Sequence, residues 1–302
     1  MSTKGSVLIT GCSDGGIGSG LALVFQERGY HVFATARNQE KMAALKPLPN
    51  VTLLTLDVTN KEHIQEAAKA VSAQTGGTLS YLINNAGRNH FVPILDDDVE
   101  AAKKIFDINV WGPFTVTQVF APLLIKAQGM LVNITSIAGH GPVPTLGKRL
   151  LSVSSVRKDP IIDLHPAIPG SYGASKRAQE QIAEVLRIEL APFKVKALSV
   201  VTGAVSTNGQ TYFEDWALPE GSLYKAVEPT MRAIAQATDG RGRMPLMTYA
   251  NQVVDNILNG VTGRIWVGEH AEAAKNRPTE GEGAALVDQY TMQVADLQKL
   301  SV

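Results

Sequence analysis

A tyrosine and a lysine four residues apart are well suited to acid–base chemistry. Tyr172 and Lys176 stand in the run Tyr-Gly-Ala-Ser-Lys, and this spacing places both side chains on one face of a helix. A free phenol with a pKa of about 10 releases its proton poorly at neutral pH, but a neighbouring cation favours the phenolate. The pair therefore predicts a general acid and base, provided that other elements bring a cofactor and a substrate to it.

A glycine-rich stretch near the start of the chain is suited to binding a pyrophosphate. It runs from Thr10 to Gly18, between an apolar run and a helical pattern. Glycines let the backbone turn sharply and approach phosphate oxygens, and the N-terminus of the following helix supplies N–H groups and a positive dipole end. The stretch predicts a dinucleotide-binding loop. The alternative is a tight strand-to-helix turn. In either case Cys12 is interpreted as a small packing residue and not as a redox centre.

The end of the second predicted strand indicates which dinucleotide is bound. NAD-preferring sites usually place an acidic residue about 20 residues past the glycine loop to hold the ribose hydroxyls. This chain has Arg37 there instead, with Lys41 one helical turn further on. A guanidinium pairs well with a 2′-phosphate, so the sequence predicts NADP(H). The alternative is a solvated arginine at a strand end.

The elements that must position these residues follow from the periodicity of the chain. Short β-branched runs alternate with helical patterns, which is typical of βαβ units around a parallel sheet. The predicted strands are Ser6–Thr10, His31–Ala36, Val51–Leu56, Leu79–Asn84, Met130–Thr135, Val195–Val201 and Arg264–Val267. The predicted helices are Gly18–Arg28, Lys61–Gln74, Val99–Lys126, Ser175–Leu190 and Tyr249–Leu258. We therefore predict an α/β fold with a doubly wound parallel sheet, in a single domain over residues 1–270.

Composition narrows the function classes. Lys plus Arg equal Asp plus Glu at 28 each in 302 residues, whereas nucleic-acid binders carry a basic excess. One cysteine, Cys12, excludes an internal disulfide, and the six histidines lack metal-binding spacing, so no metal is expected. Three successive aspartates, Asp96 to Asp98, are interpreted as helix-capping residues.

The apolar runs are too short for a signal peptide or a membrane span. We therefore expect a cytoplasmic protein without a transmembrane segment. Peripheral contact at the endoplasmic reticulum or at lipid droplets stays open.

Several further motifs occur in order along the chain, and together they resemble the short-chain dehydrogenase/reductase family from Ser6 to Gly268. The matching motifs are Thr10–Gly18, Asp57–Val58, Asn84–Gly87, Asn109–Val110, Asn133–Ser136, Tyr172–Lys176 and Thr207. The resemblance implies a Rossmann-like fold and an NADP-dependent oxidoreductase acting on C=O and CH–OH groups. It also implies a homo-oligomer formed through the helices that carry Asn109 and Tyr172.

The resemblance implies a role for each matching position. In a reduction Tyr172 would protonate the ketone oxygen, and Ser136 would hold that oxygen. Lys176 would bind the nicotinamide ribose and tune Tyr172, while Asn109 would anchor a water in the proton relay. The residues expected to contact the cofactor are Gly11, Gly16, Ile17, Gly18, Thr35, Arg37, Lys41, Asp57, Asn85, Ala86, Gly87, Tyr172, Lys176, Val205 and Thr207. For two of these the alternatives are structural, since Asp57 can cap a helix and Thr207 can end a strand.

Within the family, three runs are most similar to the fungal NADPH-dependent 1-acyldihydroxyacetone-phosphate reductases. They are the glycine loop, Phe33 to Arg37, and Val200 to Val205. Residues 208–248 stand where the family builds its substrate lid, and the aromatic residues between Gln210 and Tyr224 suit a lipophilic substrate. The alternative for these aromatic side chains is a place in the core.

One departure from the family pattern bears on activity. Ser136 and Tyr172 are 36 positions apart, which is more than the family pattern places between them. We assign the additional residues to an insertion at residues 141–170, which is longer than loops without a function usually are. Three interpretations stay open: a lid whose basic residues meet an anionic headgroup, a disordered bulge, or a gene-model artefact.

The tail, residues 271–302, presents Val287, Tyr290, Val294 and Leu297 at helical spacing, and we expect this stripe to pack onto the body.

Three functional hypotheses follow. The first is NADPH-dependent reduction of a ketone to a secondary alcohol on a lipophilic substrate, with 1-acyl dihydroxyacetone phosphate as the named candidate. The second is a ketoreductase of fungal secondary metabolism or a reductase of retinoid- or steroid-like carbonyls. The third is a catalytically silent NADP(H)-binding protein. Hydroxyl groups of Ser136 and Tyr172 within reach of one substrate oxygen favour an enzyme, and separated hydroxyls favour a binding protein.

Overall fold

A parallel sheet forms the centre of the molecule. The computed structural model describes residues 3–141, 143–144, 164–165, 170–277, 279–294, 296 and 299–300. Its strands are β1 (Ser6–Ile9), β2 (His31–Ala36), β3 (Val51–Thr55), β4 (Tyr81–Asn84), β5 (Met130–Ser136), β6 (Val143–Pro144), β7 (Leu164–His165), β8 (Lys196–Thr202) and β9 (Gly263–Val267). Seven of them pair in parallel in the order β3-β2-β1-β4-β5-β8-β9, while β6 and β7 form a separate antiparallel pair.

Helices cover both faces of the sheet. They are α1 (Ile17–Glu27), α2 (Lys61–Thr75), α3 (Val99–Phe106), α4 (Gly112–Ala127), α5 (Gly170–Glu189), α6 (Glu228–Ala235), α7 (Leu246–Leu258), α8 (Ala271–Lys275) and α9 (Gly281–Val294). Alternate residues of β1 enter opposite cores, because successive strand side chains point to opposite faces. Val7 and Ile9 pack in a cluster with residues of α1 and α7, and Leu8 packs in a cluster with residues of α2 and α4. The predicted doubly wound sheet is confirmed.

The strand order places a crevice at the carboxyl ends of β1 and β4. From β1 the chain first adds β2 and β3 on one side, and then returns to add β4, β5, β8 and β9 on the other. The loops that follow β1 and β4 therefore diverge, and α/β sheets bind their ligands at this kind of switch point.

The predicted helix Val99–Lys126 forms, but it is not uniform. A π-helical segment, Asp107–Trp111, separates α3 from α4 and carries Asn109. Such segments are frequent at functional sites. Hydrophobic periodicity does not reveal a single wide turn, so the expectation of one regular helix is corrected.

By length and hydropathy this helical run, Val99–Ala127, qualifies as a membrane span of 29 residues. Its packing is that of a core helix, because Val116, Phe120 and Leu124 are buried in the cluster that covers one face of the sheet. A buried helix of a soluble fold meets the same length and hydropathy criteria.

The insertion and the tail are described only in part. Of the predicted insertion the described residues are Gly141, β6, β7 and Gly170, so its three interpretations lie outside the described residues. The side chains of the predicted apolar stripe in the tail lie outside them as well. Arg277, which follows α8, donates a hydrogen bond of 2.9 Å to the carbonyl oxygen of His140 and pairs with Asp288 on α9.

Candidate active site

A cleft of about 1060 Å³ opens at the carboxyl ends of the central strands. The loop after β1, the loop after β4, the end of β5, the start of α5 and the segment after β8 all line it. The cleft therefore lies at the switch point of the sheet, where the predicted cofactor and catalytic residues were expected to meet.

The glycine loop after β1 forms a cradle that side chains would fill. Gly11 has a φ of 74°, and a Cβ there would lie 2.9 Å from the Cα of Ala86. A Cβ on Gly18 would collide with the carbonyl of Gly11. The N-cap of α1 is Gly16, which supplies no side-chain hydrogen bond, so the first N–H groups of the helix are left for an anion. The cradle fits the pyrophosphate of a dinucleotide.

The loop after β4 is tied to the glycine loop by its own hydrogen bonds. Asn85 Nδ2 donates to the carbonyls of Thr10 and Gly11 at 2.8 and 3.0 Å. The hydroxyl of Thr10 accepts from the backbone N–H groups of Asn85 and Ala86 at 2.9 Å. These bonds hold the predicted cofactor residues Asn85 to Gly87 along the wall of the cleft.

Two unpaired cations stand beside the end of β2. Arg37 and Lys41 line the cleft and are exposed, and within the described part of the chain their side chains form no ion pair or hydrogen bond. Free guanidinium and ammonium groups suit a 2′-phosphate. Asp57 lines the same region and accepts from the N–H and the hydroxyl of Thr59 at 2.9 and 2.8 Å. Asp57 thus stabilises the turn before α2, but the cap of that helix is Asn60, which accepts from the N–H of His63 at 3.0 Å.

Three predicted residues lie behind the cleft surface instead of on it. Thr35 is fully buried in β2, where its carbonyl accepts from the N–H of Cys12 at 2.8 Å, and the structure does not bring its side chain to the cleft. Gly18, in the first turn of α1, packs against the carbonyl of Gly11. Asn109 lies behind Gly87, since a Cβ on Gly87 would be 3.2 Å from Asn109 Oδ1 and 3.3 Å from Lys176 Nζ. Val205 and Thr207 do line the cleft.

The predicted acid–base pair lies on α5. This helix begins at Gly170, earlier than the predicted start at Ser175, so Tyr172 and Lys176 both belong to its first turns. Ser136 ends β5 and lines the cleft together with them. Ser136 lies close enough to Tyr172 to lower the pKa of its phenol. The separation of 36 positions in sequence therefore does not keep the two side chains apart in the fold.

Asn109 fastens the π-helical segment to two neighbouring elements. Its Oδ1 accepts from the N–H of Arg88 at 2.8 Å, and its Nδ2 donates to the carbonyl of Arg88 and to the hydroxyl of Ser175, both at 3.0 Å. The fully buried amide thus joins the loop after β4 to α5. Its predicted role as a water anchor stays a prediction.

Burial governs the ionisation of the predicted acid–base pair. It raises the pKa of the Tyr172 phenol, and hydrogen bonding with Ser136 opposes that rise. It lowers the pKa of Lys176 to about 8. At pH 7 the phenol is therefore protonated and Lys176 is mostly a cation. A protonated phenol beside a cation is suited to donate to an oxygen that gains negative charge.

Aromatic rings form one wall of the cleft. Phe91 and Phe213 both line it, and their rings meet edge to face with centroids 5.1 Å apart. Trp216 Nε1 donates a hydrogen bond of 2.6 Å to the carbonyl of Phe91, which fastens this part of the segment after β8 to the loop after β4. The predicted aromatic stretch thus reaches the cleft at Phe213. The side chains of residues 210–212 are not among those that the structure describes. The assignment of residues 208–248 as a lid stays a prediction.

A group that sequence reasoning missed joins the cleft to the start of α5. Asp97 Oδ1 lies 2.7 Å from Nε2 of His90, whose ring lines the cleft, and its Oδ2 accepts from the hydroxyl of Ser171 at 2.6 Å. We call His90, Asp97 and Ser171 the Asp97 clasp.

Of the three aspartates expected to cap a helix, Asp98 does so, accepting from the N–H of Ala101 at 2.8 Å. The expectation is wrong for Asp97, because the loop turns its carboxylate inward.

A buried carboxylate stabilises the other side of α5. The side chain of Glu180 is 1% exposed and pairs with Arg264 at 2.7 Å, His140 at 2.7 Å and Arg177 at 3.3 Å. Burial raises the pKa of this carboxyl, but the hydrogen bond from His140 and the charges of His140, Arg264 and Arg177 outweigh it and lower the pKa overall. The network holds α5 against β9 and the turn that follows β5.

Known proteins share both the sequence and the fold. The short chain dehydrogenase family matches residues 5–148. The chain is 43% identical over 269 residues to the short-chain dehydrogenase PC-15 of Penicillium crustosum, covering 89% of this chain and 90% of that one. The chain belongs to the short-chain dehydrogenase family. It is also 37% identical over 228 residues to an NADPH-dependent 1-acyldihydroxyacetone phosphate reductase of Schizosaccharomyces pombe, covering 74% of this chain and 69% of that one.

The solved structure of a short-chain dehydrogenase from Streptomyces avermitilis matches 99% of this chain and 98% of its own, with a TM-score of 0.72 and 26% identity. The predictions of this family, of an oxidoreductase and of NADP(H) as its cofactor are confirmed. This short-chain dehydrogenase carries the glycine cradle, the free cations and the tyrosine–lysine pair that such a cofactor needs.

Proposed function

We propose that this short-chain dehydrogenase reduces a ketone on a lipophilic substrate to a secondary alcohol with NADPH. The observation that carries the proposal is that Ser136 and Tyr172 both line the cleft, with Ser136 near enough to the phenol to lower its pKa. Two neighbouring hydroxyl groups that line the same cleft can both reach one substrate oxygen. A catalytically silent NADP(H)-binding protein would not need this arrangement, and the geometry speaks against that hypothesis.

The protein residues handle the proton in this reaction. Bound NADPH supplies a hydride to the carbonyl carbon. Ser136 donates a hydrogen bond to the carbonyl oxygen, and Tyr172 transfers its proton to that oxygen as negative charge develops. The positive charge of Lys176 then stabilises the phenolate until Tyr172 regains a proton from solvent.

The walls of the cleft support a lipophilic substrate that bears an anionic group. Phe91 and Phe213 provide an apolar surface. Arg88 and Lys104 line the cleft, and within the described residues neither side chain forms an ion pair or a hydrogen bond. Two unpaired cations beside an apolar wall suit an acyl chain joined to a phosphate. The relative from Schizosaccharomyces pombe supports 1-acyl dihydroxyacetone phosphate as the substrate.

A second candidate is a neutral lipophilic ketone, such as an intermediate of fungal secondary metabolism or a retinoid- or steroid-like carbonyl compound. The edge-to-face contact of Phe91 with Phe213 favours it, because aromatic side chains pack well against flat apolar rings. The two candidates use the same catalytic residues. They differ in whether the cations of the cleft contribute to substrate binding.

The test is NADPH oxidation by the purified protein with 1-acyl dihydroxyacetone phosphate and with neutral lipophilic ketones. Tyr172→Phe should abolish turnover, while Tyr30→Phe, a change outside the cleft residues, should keep it. Arg88→Ala should raise KM for the phosphate ester and leave KM for neutral ketones unchanged. Binding of NADPH without turnover of any ketone would overturn the proposal and favour a binding protein.

Location and assembly are also proposals. We expect the enzyme in the cytoplasm, with peripheral contact at the endoplasmic reticulum or lipid droplets if its substrate is a lipid. A homo-oligomer formed through the helical run that contains Asn109 and through α5, which carries Tyr172, is supported by exposed apolar side chains on these segments, among them Trp111 and Ile188.

A further inference from the structure

The ammonium group of Lys176 is held by two acceptors inside the protein. Lys176 is 5% exposed, and its Nζ donates to the carbonyl oxygen of Ile134 on β5 at 3.0 Å. It donates a second hydrogen bond, of 3.1 Å, to Oε1 of Gln179. An ammonium has three N–H donors, so one remains for the cofactor side of the cleft.

Gln179 lies one helical turn beyond Lys176 on α5 and is itself buried, with 4% of its surface exposed. Because lysine only donates hydrogen bonds, the amide must turn its oxygen towards Nζ. Its Nε2 then has no hydrogen-bond partner in the described structure. Buried polar groups are usually paired, so the contact with Lys176 is maintained at a cost.

The charged groups around α5 do not pair with Lys176. Within the described part of the chain no carboxylate lies within ion-pair distance of its Nζ, and Glu180 is engaged with His140, Arg177 and Arg264 instead. The titratable groups that face this region are Tyr172, Arg177 and Glu180 on α5, His140 after β5, Arg264 on β9, Arg88 after β4, Lys104 on α3 and Asp107 in the π-helical segment.

We propose that Gln179 is a positioning residue for the reaction, whose neutral carbonyl orients the Lys176 ammonium beside Tyr172 without cancelling its charge. A glutamate at this position would supply a counter-ion and reduce the field that Lys176 exerts on the phenol. An apolar side chain would leave the ammonium with one acceptor and weaken its charged form. The amide avoids both effects, which explains a glutamine with an unpaired N–H group in this place.

The test compares Gln179→Glu and Gln179→Met with the wild type, with Gln181→Met on the exposed side of α5 as the matched control. The first readout needs no substrate: lysine side chains labelled with ¹³C are titrated by NMR in the protein with and without NADP⁺, and Lys176→Met assigns the signal. Burial places the wild-type pKa at about 8. We expect Gln179→Glu to raise this midpoint by at least one pH unit, Gln179→Met to lower it, and Gln181→Met to leave it in place.

The second readout is the pH profile of kcat with a ketone that the enzyme turns over. The inference refines the acid–base step of the proposed reaction. In Gln179→Met the fall of kcat on the alkaline side of the profile should therefore begin at a lower pH than in the wild type. Melting temperatures identify variants that fail to fold. Equal lysine midpoints in wild type and Gln179→Glu would overturn the role of Gln179, whereas absence of turnover with shifted midpoints would overturn only the proposed function.

Discussion

Ser171 donates a hydrogen bond of 2.6 Å to the carboxylate of Asp97 and thereby ties the first turn of α5 to the loop that follows β4. The side chain of Asp97 is 7% exposed, and its second oxygen bonds His90. Because Tyr172 directly follows Ser171, the Asp97 clasp helps to set the position of the Tyr172 phenol in the cleft.

Asp97→Asn should impair catalysis more than cofactor binding. An amide can accept from only one of the two partners through its oxygen, and leaving one unpaired costs about 1–3 kcal/mol in the free energy of unfolding. Since the displaced group is next to Tyr172, we expect kcat to fall roughly tenfold, equal to about 1.4 kcal/mol in the barrier. KM for NADPH should not change, and steady-state kinetics with denaturant unfolding measures both effects.

Asp98→Ala is the control for this prediction. It removes the cap of α3 and should cost about 1 kcal/mol of stability while kcat stays at the wild-type value. A similar fall in kcat for both variants would show that the effect of Asp97 is one of general destabilisation.

The main elements and the position of the predicted acid–base pair follow from the sequence because local patterns encode them. The apolar run of β1, the glycines that follow it and the Tyr172–Lys176 spacing each carry their structure within a few residues. Their order then implies one sheet edge where they meet, since parallel strands all end at the same side.

The remaining features depend on contacts between distant positions. Ser171 and Asp97 are 74 positions apart, and Asp97 is indistinguishable in sequence from its neighbour Asp98, which caps a helix. The contact of Ser136 with Tyr172 depends on where the ends of the insertion return, which loop length does not reveal. The burial of Thr35 is hidden from the sequence for a related reason, because the strand pattern alone does not tell which face of β2 borders the cleft.

Arg37→Ala should weaken the preference for NADPH over NADH. A charge-assisted hydrogen bond contributes about 1.5–3 kcal/mol, so we expect KM for NADPH to rise roughly 10- to 150-fold, while KM for NADH stays unchanged or falls. Lys41→Ala should act in the same direction with a smaller effect, because its point charge lacks the bidentate geometry of a guanidinium. Steady-state kinetics with both cofactors measures the change.

Arg28→Ala removes the same charge from an exposed ion pair with Asp255 and is the matched control. It should leave both KM values unchanged. If Arg37→Ala behaved like Arg28→Ala, Arg37 would be a solvated residue at a strand end.

The buried Lys176 predicts how stability depends on pH. Its pKa falls from 10.5 in the unfolded chain to about 8 in the folded protein. Between these values the unfolded chain binds a proton that the folded protein lacks, so rising pH favours folding. Relative to Lys176→Met, the wild type should therefore gain about 3 kcal/mol in the free energy of unfolding across that window. Below pH 8 the difference should be constant.

Denaturant unfolding at several pH values measures this difference. Lys103→Met, at an exposed position of α3, controls for the loss of a lysine and should show no such trend. A constant difference between wild type and Lys176→Met from pH 8 to 10.5 would contradict the burial of a charged Lys176.

Exposed apolar side chains on α5 and on the π-helical segment predict the assembly state. Val185 and Ile188 lie three residues apart on one face of α5 and are 46% and 66% exposed, and Trp111 is 53% exposed. Large apolar groups on the helices that carry the catalytic residues are suited to pair with a second copy of the chain.

We expect Ile188→Glu to convert an oligomer into a monomer, because the carboxylate would be buried without a partner. Sedimentation or light scattering measures the mass, and Met292→Glu, at an exposed position of α9, should leave it unchanged. A wild type that is monomeric at micromolar concentration would refute the oligomer, and equal masses of wild type and Ile188→Glu would place its interface elsewhere.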